Sequence, residues 1–299
     1  MKRIFLFVAT NIAVLVLATL VFNLLGFDSY LTERGLNPVA LLVFAALFGF
    51  GGAFASLAMS KWVAIRSMNV QVIKEPRTQV EMWLVNTVKA HADRAGIGMP
   101  DVGIFEAPEV NAFATGARRD AALVAVSSGL LAALSKNEAE AVIGHEVSHV
   151  ANGDMVTMTL LQGVLNTFVI FLSRVAGTVV DQMLRGQNDR GGPGPAYLIV
   201  TIVSQIVFGI LASMIVMWFS RRREFRADAG GAQLAGPPNM IAALQKLLIQ
   251  QKQHVPAHLP QQFRSFGIYD DARRGLKRLF MSHPPLEERI AALQASPSI

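Results

Sequence analysis

The segment HEVSH, residues 145–149, holds two histidines four residues apart, with a glutamate directly after the first. On a helix, positions i and i+4 share a face, so His145 and His149 can present both imidazoles to one cation. Glu146, beside the first of them, can reach a water at that cation and act as general base. Zn²⁺ is the expected ion, because it binds imidazole well and lowers the pKa of its water to about 7. The chain has no cysteine and only six histidines, so a metal must be held by His, Asp and Glu. Three fixed positions also arise by chance, and an exposed helix with two solvated histidines is the plain alternative. A catalytic zinc ordinarily takes three protein ligands and keeps one position open. Asn152 and Met155 stand where the longer H-E-x-x-H-x-x-G-x-x-H pattern needs Gly and His, which excludes that class. The remaining usual third ligand is a carboxylate from a second helix. SRRREFRADAGGAQLAG, residues 220–236, offers one. Glu224 can ligate, and Asp228, one turn later, can accept a hydrogen bond from a ligand histidine and fix its tautomer. The same two acids can equally pair with Arg221, Arg222, Arg223 or Arg226 on a solvated helix.

These residues need rigid elements to hold them. SKNEAEAVIGHEVSHVANGD, residues 135–154, opens with a capping box from Ser135 to Glu138 and stops near Asn152 and Gly153. Ala141, Val142, Ile143, Gly144 and Val150 around the motif are small or apolar, as a buried helix requires. Upstream, residues 78–98 begin with a second capping box, Thr78 to Glu81, and place Val80, Trp83, Leu84 and Val88 on one face. Between the two helices lie short β-like runs, VGIFEA, NAFATG and ALVAVSS. Near the end, MSHPPLEERIAALQ has a Pro-Pro start followed by amphipathic helical spacing.

Hydrophobic residues make up 52% of the chain and charged ones 16%, against about 25% charged in ordinary soluble domains. The apolar excess is concentrated in four runs, about 4–27, 38–60, 155–180 and 196–219, each long enough to cross roughly 30 Å of hydrocarbon. The first is too long for a signal-peptide core and lacks a clear A-x-A site, so it reads as a retained transmembrane helix. The third contains Asn166 and Arg174, which leaves a re-entrant or surface-lying hairpin as its alternative. The net charge is +6 and the pI about 9.9. The basic residues gather beside the apolar runs, at Lys2, Arg3, Lys61, Arg66, Lys74, Arg77 and Arg221–Arg223. That placement fits the positive-inside rule rather than a nucleic-acid face. It puts both termini and both polar segments on the cytoplasmic side of a lipid bilayer. The expected organisation is an N-terminal transmembrane hairpin over 1–60 and a cytoplasmic part with the HEXXH helix over 61–154. A membrane-spanning or membrane-associated hairpin over 155–219 and a cytoplasmic C-terminal part over 220–299 complete it. Residues 250–275 are rich in turn formers and are a candidate lid.

NAFATG reads as a short strand. At the edge of a sheet, such a strand can pair with an extended substrate through its backbone. Asn111 and Ala112 are therefore candidate substrate contacts, the alternative being an ordinary core strand turning at Gly116. His283 in SHPP is either a transition-state donor near the metal or a structural histidine at a helix start. His91, His254 and His258 have no metal-motif context and read as surface or structural.

HEVSHVANGD, SRRREFRADAGGAQLAG, NAFATG and SHPPLEERI together resemble the HtpX family of bacterial membrane metalloproteases, relatives of the CAAX prenyl proteases. The resemblance covers essentially the whole chain, including the apolar runs. It implies a mainly helical α+β fold, a zincin-like (HEXXH gluzincin-type) domain with about four transmembrane helices. It also implies a zinc-dependent endopeptidase of the bacterial inner membrane, its site facing the cytoplasm, acting in stress response and quality control on damaged or misassembled membrane proteins. By motif position, His145, His149 and Glu224 are then zinc ligands and Glu146 the catalytic base, while Asp228 matches the family's E-x-x-x-D pattern. Two readings compete with this: a metal-binding membrane transporter or sensor without proteolysis, and a non-catalytic scaffold. Against a transporter, no ionisable residue interrupts the first two runs.

Overall fold

The computed structural model describes residues 37–185, 194–253, 279 and 281–295, and the side chains of 252–253 are left aside. The first apolar run, most of the 250–275 segment, His254 and His258 lie outside the described residues. The chain forms two compact units by internal contacts.

One unit takes in the described residues up to Ser56 and residues 157–216. Its helices belong to α1 (Pro38–Ser67), α5 (Asp154–Arg185) and α6 (Pro195–Ala235). All three are long and apolar enough to cross a membrane. Lipid-length helices associate by close packing of small residues. Gly49 on α1 faces Thr167 and Gly163 on α5 so closely that a Cβ there would overlap both backbones. Arg174 has an aromatic neighbour, with its guanidinium 4.4 Å from the centre of the Phe44 ring, a geometry that favours a cation over a π face.

The other unit takes in residues 57–156 and the described residues from 217 onward. It is built on a four-stranded sheet, in the order β1-β2-β4-β3. The strands are β1 (Gln71–Val72), β2 (Asp101–Phe105), β3 (Ala112–Thr115) and β4 (Leu123–Ser127). β2 and β4 run parallel, while β1 and β3 pair antiparallel at the two edges. Alternation sends Val102, Val124 and Val126 to one face. There they pack against Leu84 and Val88 of α2 (Gln79–Ala95), Leu130 of α3 (Ser128–Ala133), and Ile143, Val147 and Val150 of α4 (Lys136–Asn152). Phe105, Leu123 and Ala125 point the other way, toward Val70 and Phe113. Both capping boxes form, at Thr78/Glu81 and Ser135/Glu138. One detail departs from the sequence reading: Val80 is 49% exposed, because the apolar stripe of α2 meets the core only from Trp83 onward.

The side of α4 away from the sheet is covered as well. Ala141 packs with Ala232 of α6, with Met240, Ala243 and Leu244 of α7 (Pro237–Gln253), and with Ile290 and Leu293 of α8 (Leu286–Ala295). Burying each large aliphatic side chain stabilises by about 1.5–3 kcal/mol, so α4 is held from two sides by apolar packing alone. His145, Ser148 and His149 are therefore buried on a helix fixed by its neighbours.

Candidate active site

The HEXXH segment occupies the last turns of α4, where both His145 and His149 are buried. α4 and α6 approach so closely because glycines line the contact. A Cβ on Gly231 would sit 3.0 Å from the backbone N of His145, and one on Gly230 would overlap Ser148 Oγ. This approach carries Glu224 and Asp228, one turn apart on α6, against the two histidines. Glu224 is wholly buried and Asp228 nearly so, at 0% and 1% exposure, so the reading of both as solvated partners of the arginine run does not hold.

The donor atoms converge. Nε2 of His145 and Nε2 of His149 are 3.1 Å apart. Glu224 Oε2 is 3.5 Å from the first and Glu224 Oε1 3.3 Å from the second. Donors arranged tetrahedrally around an ion at about 2.0–2.1 Å lie roughly 3.3 Å from one another. The trio therefore has the spacing to hold one metal ion. Among the described residues Glu224 Oε1 is also buried without a hydrogen-bond partner, which is costly unless a cation meets it.

The outer ring nitrogens fix the tautomers. His149 Nδ1 lies 2.6 Å from Asp154 Oδ2, and His145 Nδ1 lies 2.9 Å from Asp228 Oδ1. A carboxylate only accepts, so each Nδ1 carries the proton and each Nε2 turns a lone pair inward. Burial disfavours charge on His149, but the hydrogen bonds to Asp154 and Glu224 outweigh it and raise its pKa to about 9. His145 is likewise raised: burial opposes the charge, and Asp228 and Glu224 overcome it. The pocket thus strongly favours positive charge at this point.

Glu146 is half-buried, on α4 directly beside His145. His283, just before α8, places Nδ1 2.7 Å from Glu224 Oε2, while its side chain stays 59% exposed. β3 is an edge strand. Asn111 spends its backbone inside the sheet, accepting from Ser127 N–H and donating to Ser127 Oγ. Strand alternation turns the backbone groups of Ala112 and Ala114 to the open edge. His91 is fully buried on α2, with Nε2 3.1 Å from the Glu140 carbonyl, which makes it structural.

Two residues escaped the sequence reading. In the sequence Asp154 is only the residue that follows the helix stop at Asn152 and Gly153. Gly153, at φ 68°, ends α4 in the left-handed region and turns the chain so that Asp154 faces back. Its other oxygen lies 3.3 Å from Arg226 Nη2. Its position directly after the turn was the available signal. Arg289 on α8 donates Nε and Nη2 to Asp228, at 2.7 and 2.5 Å. A residue 61 positions away from its partner leaves no local pattern.

Residues 78–296 match the model of peptidase family M48. A "Protease HtpX homolog" from Thiobacillus denitrificans is 60% identical over 295 residues, covering 99% of this chain and 99% of the relative. "Protease HtpX" from Thioalkalivibrio sulfidiphilus is 60% identical over 297 residues, again covering 99% of each. Among solved structures, that of S. mikatae Ste24p superposes with a TM-score of 0.60 at 17% identity, covering 98% of this chain and 67% of that one. That likeness shows a common fold, mainly helical and zincin-like. The family implies a metal ion, and the His145–His149–Glu224 trio could bind one. The chain is a membrane metalloprotease, a member of peptidase family M48 and, within it, of the HtpX proteases.

Proposed function

We propose that this chain is a zinc-dependent endopeptidase of a bacterial inner membrane, cutting damaged or misassembled membrane proteins on the cytoplasmic side. The observation that carries the reading is the inward convergence of His145 Nε2, His149 Nε2 and a Glu224 oxygen, with both tautomers held by aspartates. Two imidazoles and a carboxylate are a donor set that zinc takes in peptidases. When bound, zinc polarises the scissile carbonyl and acidifies water.

The chain's own residues do the rest. Glu146 takes the proton of the attacking water and passes it to the leaving amine. Asp154 and Asp228 keep the histidines oriented through the reaction. His283, at the exposed rim beside Glu224, is placed to donate to the developing charge on the substrate. The open edge of β3, at Ala112 and Ala114, is suited to align an extended polypeptide by backbone pairing, and Asn111 precedes it with an exposed side chain.

Charge and aromatic placement support the orientation. Trp62 and Trp218 are 58% and 52% exposed. Each carries an arginine one turn later, with Arg66 5.8 Å and Arg222 4.9 Å from the ring centres. Such pairs mark membrane interfaces, and the basic residues mark the cytoplasmic one. His149 precedes the start of α5 at Asp154 by five residues, so the site lies within reach of cytoplasmic parts of membrane-bound substrates. No observation favours a transporter or sensor.

The test is Glu146→Gln in detergent-purified protein. It should keep zinc at wild-type stoichiometry and lose cleavage of a model membrane substrate. Retained cleavage would sink the mechanism. Cysteine labelling from the two sides of the membrane, at Lys74 and Arg222, checks the orientation.

A further inference from the structure

Arg221, Arg222 and Arg223 read in the sequence as one block of topogenic charge. A helix turns each by about 100° from the last, and α6 gives the three different neighbours. Arg222 lies over Trp218, and Arg223 places Nε 3.9 Å from Glu224 Oε1. Arg221 instead donates Nη1 to the backbone carbonyl of Met281, at 2.8 Å, with that of Leu279 at 3.4 Å.

This contact is one of a series. Arg221, Glu224 and Asp228 stand at i, i+3 and i+7 on α6, so they share one face. Arg221 meets the Met281 carbonyl, Glu224 accepts from His283 Nδ1 at 2.7 Å, and Asp228 accepts from Arg289 Nε at 2.7 Å. Both rows advance in the same direction, which makes three polar rungs between α6 and residues 281–289. The second rung meets a candidate ligand, and the third meets the carboxylate that holds His145. The first touches neither, and its effect is on the backbone two residues before His283.

That backbone needs a hold. Residues 281–285 form neither helix nor strand. On the far side of His283 the chain is stiff. Pro284 and Pro285 have locked φ, a residue before proline is kept extended, and α8 is anchored through Ile290 and Leu293. On the near side stand the exposed Ser282 and the half-buried Met281. The His283 side chain is itself 59% exposed, so packing does little to aim its ring, and backbone placement decides where the imidazole points.

We propose that Arg221 is a positioning residue for His283: its guanidinium fixes the Met281 carbonyl and so keeps the imidazole at the rim of the site. This rests on the peptidase reading above, in which His283 donates to the charge developing on the substrate.

The experiment uses full-length, zinc-loaded protein in detergent, an internally quenched peptide, and hydrogen exchange read by mass spectrometry. Arg221→Met should lower kcat about tenfold, since displacing a catalytic group by about 1 Å can cost up to 100-fold. KM should stay within twofold, because the lost interaction is made in the transition state. Arg221→Lys, which keeps a cationic donor, should recover part of the loss. His283→Ala should lower kcat about 100-fold, and adding Arg221→Met to it should change kcat by less than twofold. In Arg221→Met the backbone amides of residues 281–289 should exchange about tenfold faster, with those of α4 unchanged and zinc at wild-type stoichiometry. A kcat within twofold of wild type overturns the proposal. So does a tenfold loss on top of His283→Ala, unchanged exchange over 281–289, or a loss of activity matched by a loss of zinc. Wild-type kcat in His283→Ala would instead overturn the role given to His283 in the parent reading, while exchange over 281–289 still decides whether Arg221 holds that segment.

Discussion

Asp154 and Asp228 do the same job for the two histidines, each holding one Nδ1–H so that the Nε2 lone pair faces the other. They differ in their own support. Asp228 is gripped by two arginine donors from α8, whereas Asp154 has the half-exposed Arg226 at 3.3 Å. Asp154→Asn should therefore bind metal about 10–100-fold more weakly, as loss of such support ordinarily does. Chelator competition measures this. Arg289→Met should act through Asp228 and leave a buried carboxylate short of its main cationic partner. Its expected signature is weaker metal binding together with a lower melting temperature. Unchanged metal affinity in both variants would mean that backbone placement alone orients the imidazoles.

At the scale of elements, the decisive contact is α4 against α6. Gly231→Ala would press a methyl group against the backbone of His145. Backbone cannot swing aside as a side chain can, so the helices must separate. Overpacking of this kind costs about 1–3 kcal/mol, and it should move Glu224 away from the histidines. The expected result is a lower melting temperature and a larger drop in metal affinity than the stability loss alone explains. The contact of α2 with α4 carries a pH dependence. Burial holds the His91 pKa below its ordinary value of about 6.5, against the pull of the Glu140 carbonyl. Below pH 6.5 the unfolded chain takes up a proton there more readily than the folded one. Stability from this group is thus complete above that pH and declines as pH falls below it. Thermal melts of wild type and His91→Leu between pH 5 and 8 check this, and the variant should show the flatter profile.

For the molecule as a whole, the site is assembled from three helices far apart in the sequence. α4 supplies two of the candidate ligands, α6 the third, and α8 the arginine that secures Asp228. Removing residues 286–299 should therefore abolish tight metal binding, although it deletes none of the candidate ligands and leaves α1, α5 and α6 intact. Metal analysis of the truncated protein, recovered from membranes, tests this. Retention of full affinity would show α8 to be dispensable packing.

Local chemistry determined a good deal by itself. Two capping boxes, the i, i+4 histidines and the apolar runs are short-range patterns. A helix or a membrane-length segment is specified by residues within a few turns of each other, so these features were legible in the sequence. So was Glu224 as a candidate third ligand, though spacing alone slightly favoured the bland alternative of a solvated acid. Only the tertiary structure removed the solvated alternative, because burial depends on what packs from elsewhere. The glycines of α6 let it lie against α4 and turned Glu224 and Asp228 from potential surface acids into buried partners of the histidines. Distance in sequence likewise hid Arg289 and the contacts of Arg221 with Leu279 and Met281. Three adjacent arginines look alike in a row, and only their neighbours around a helix make them different.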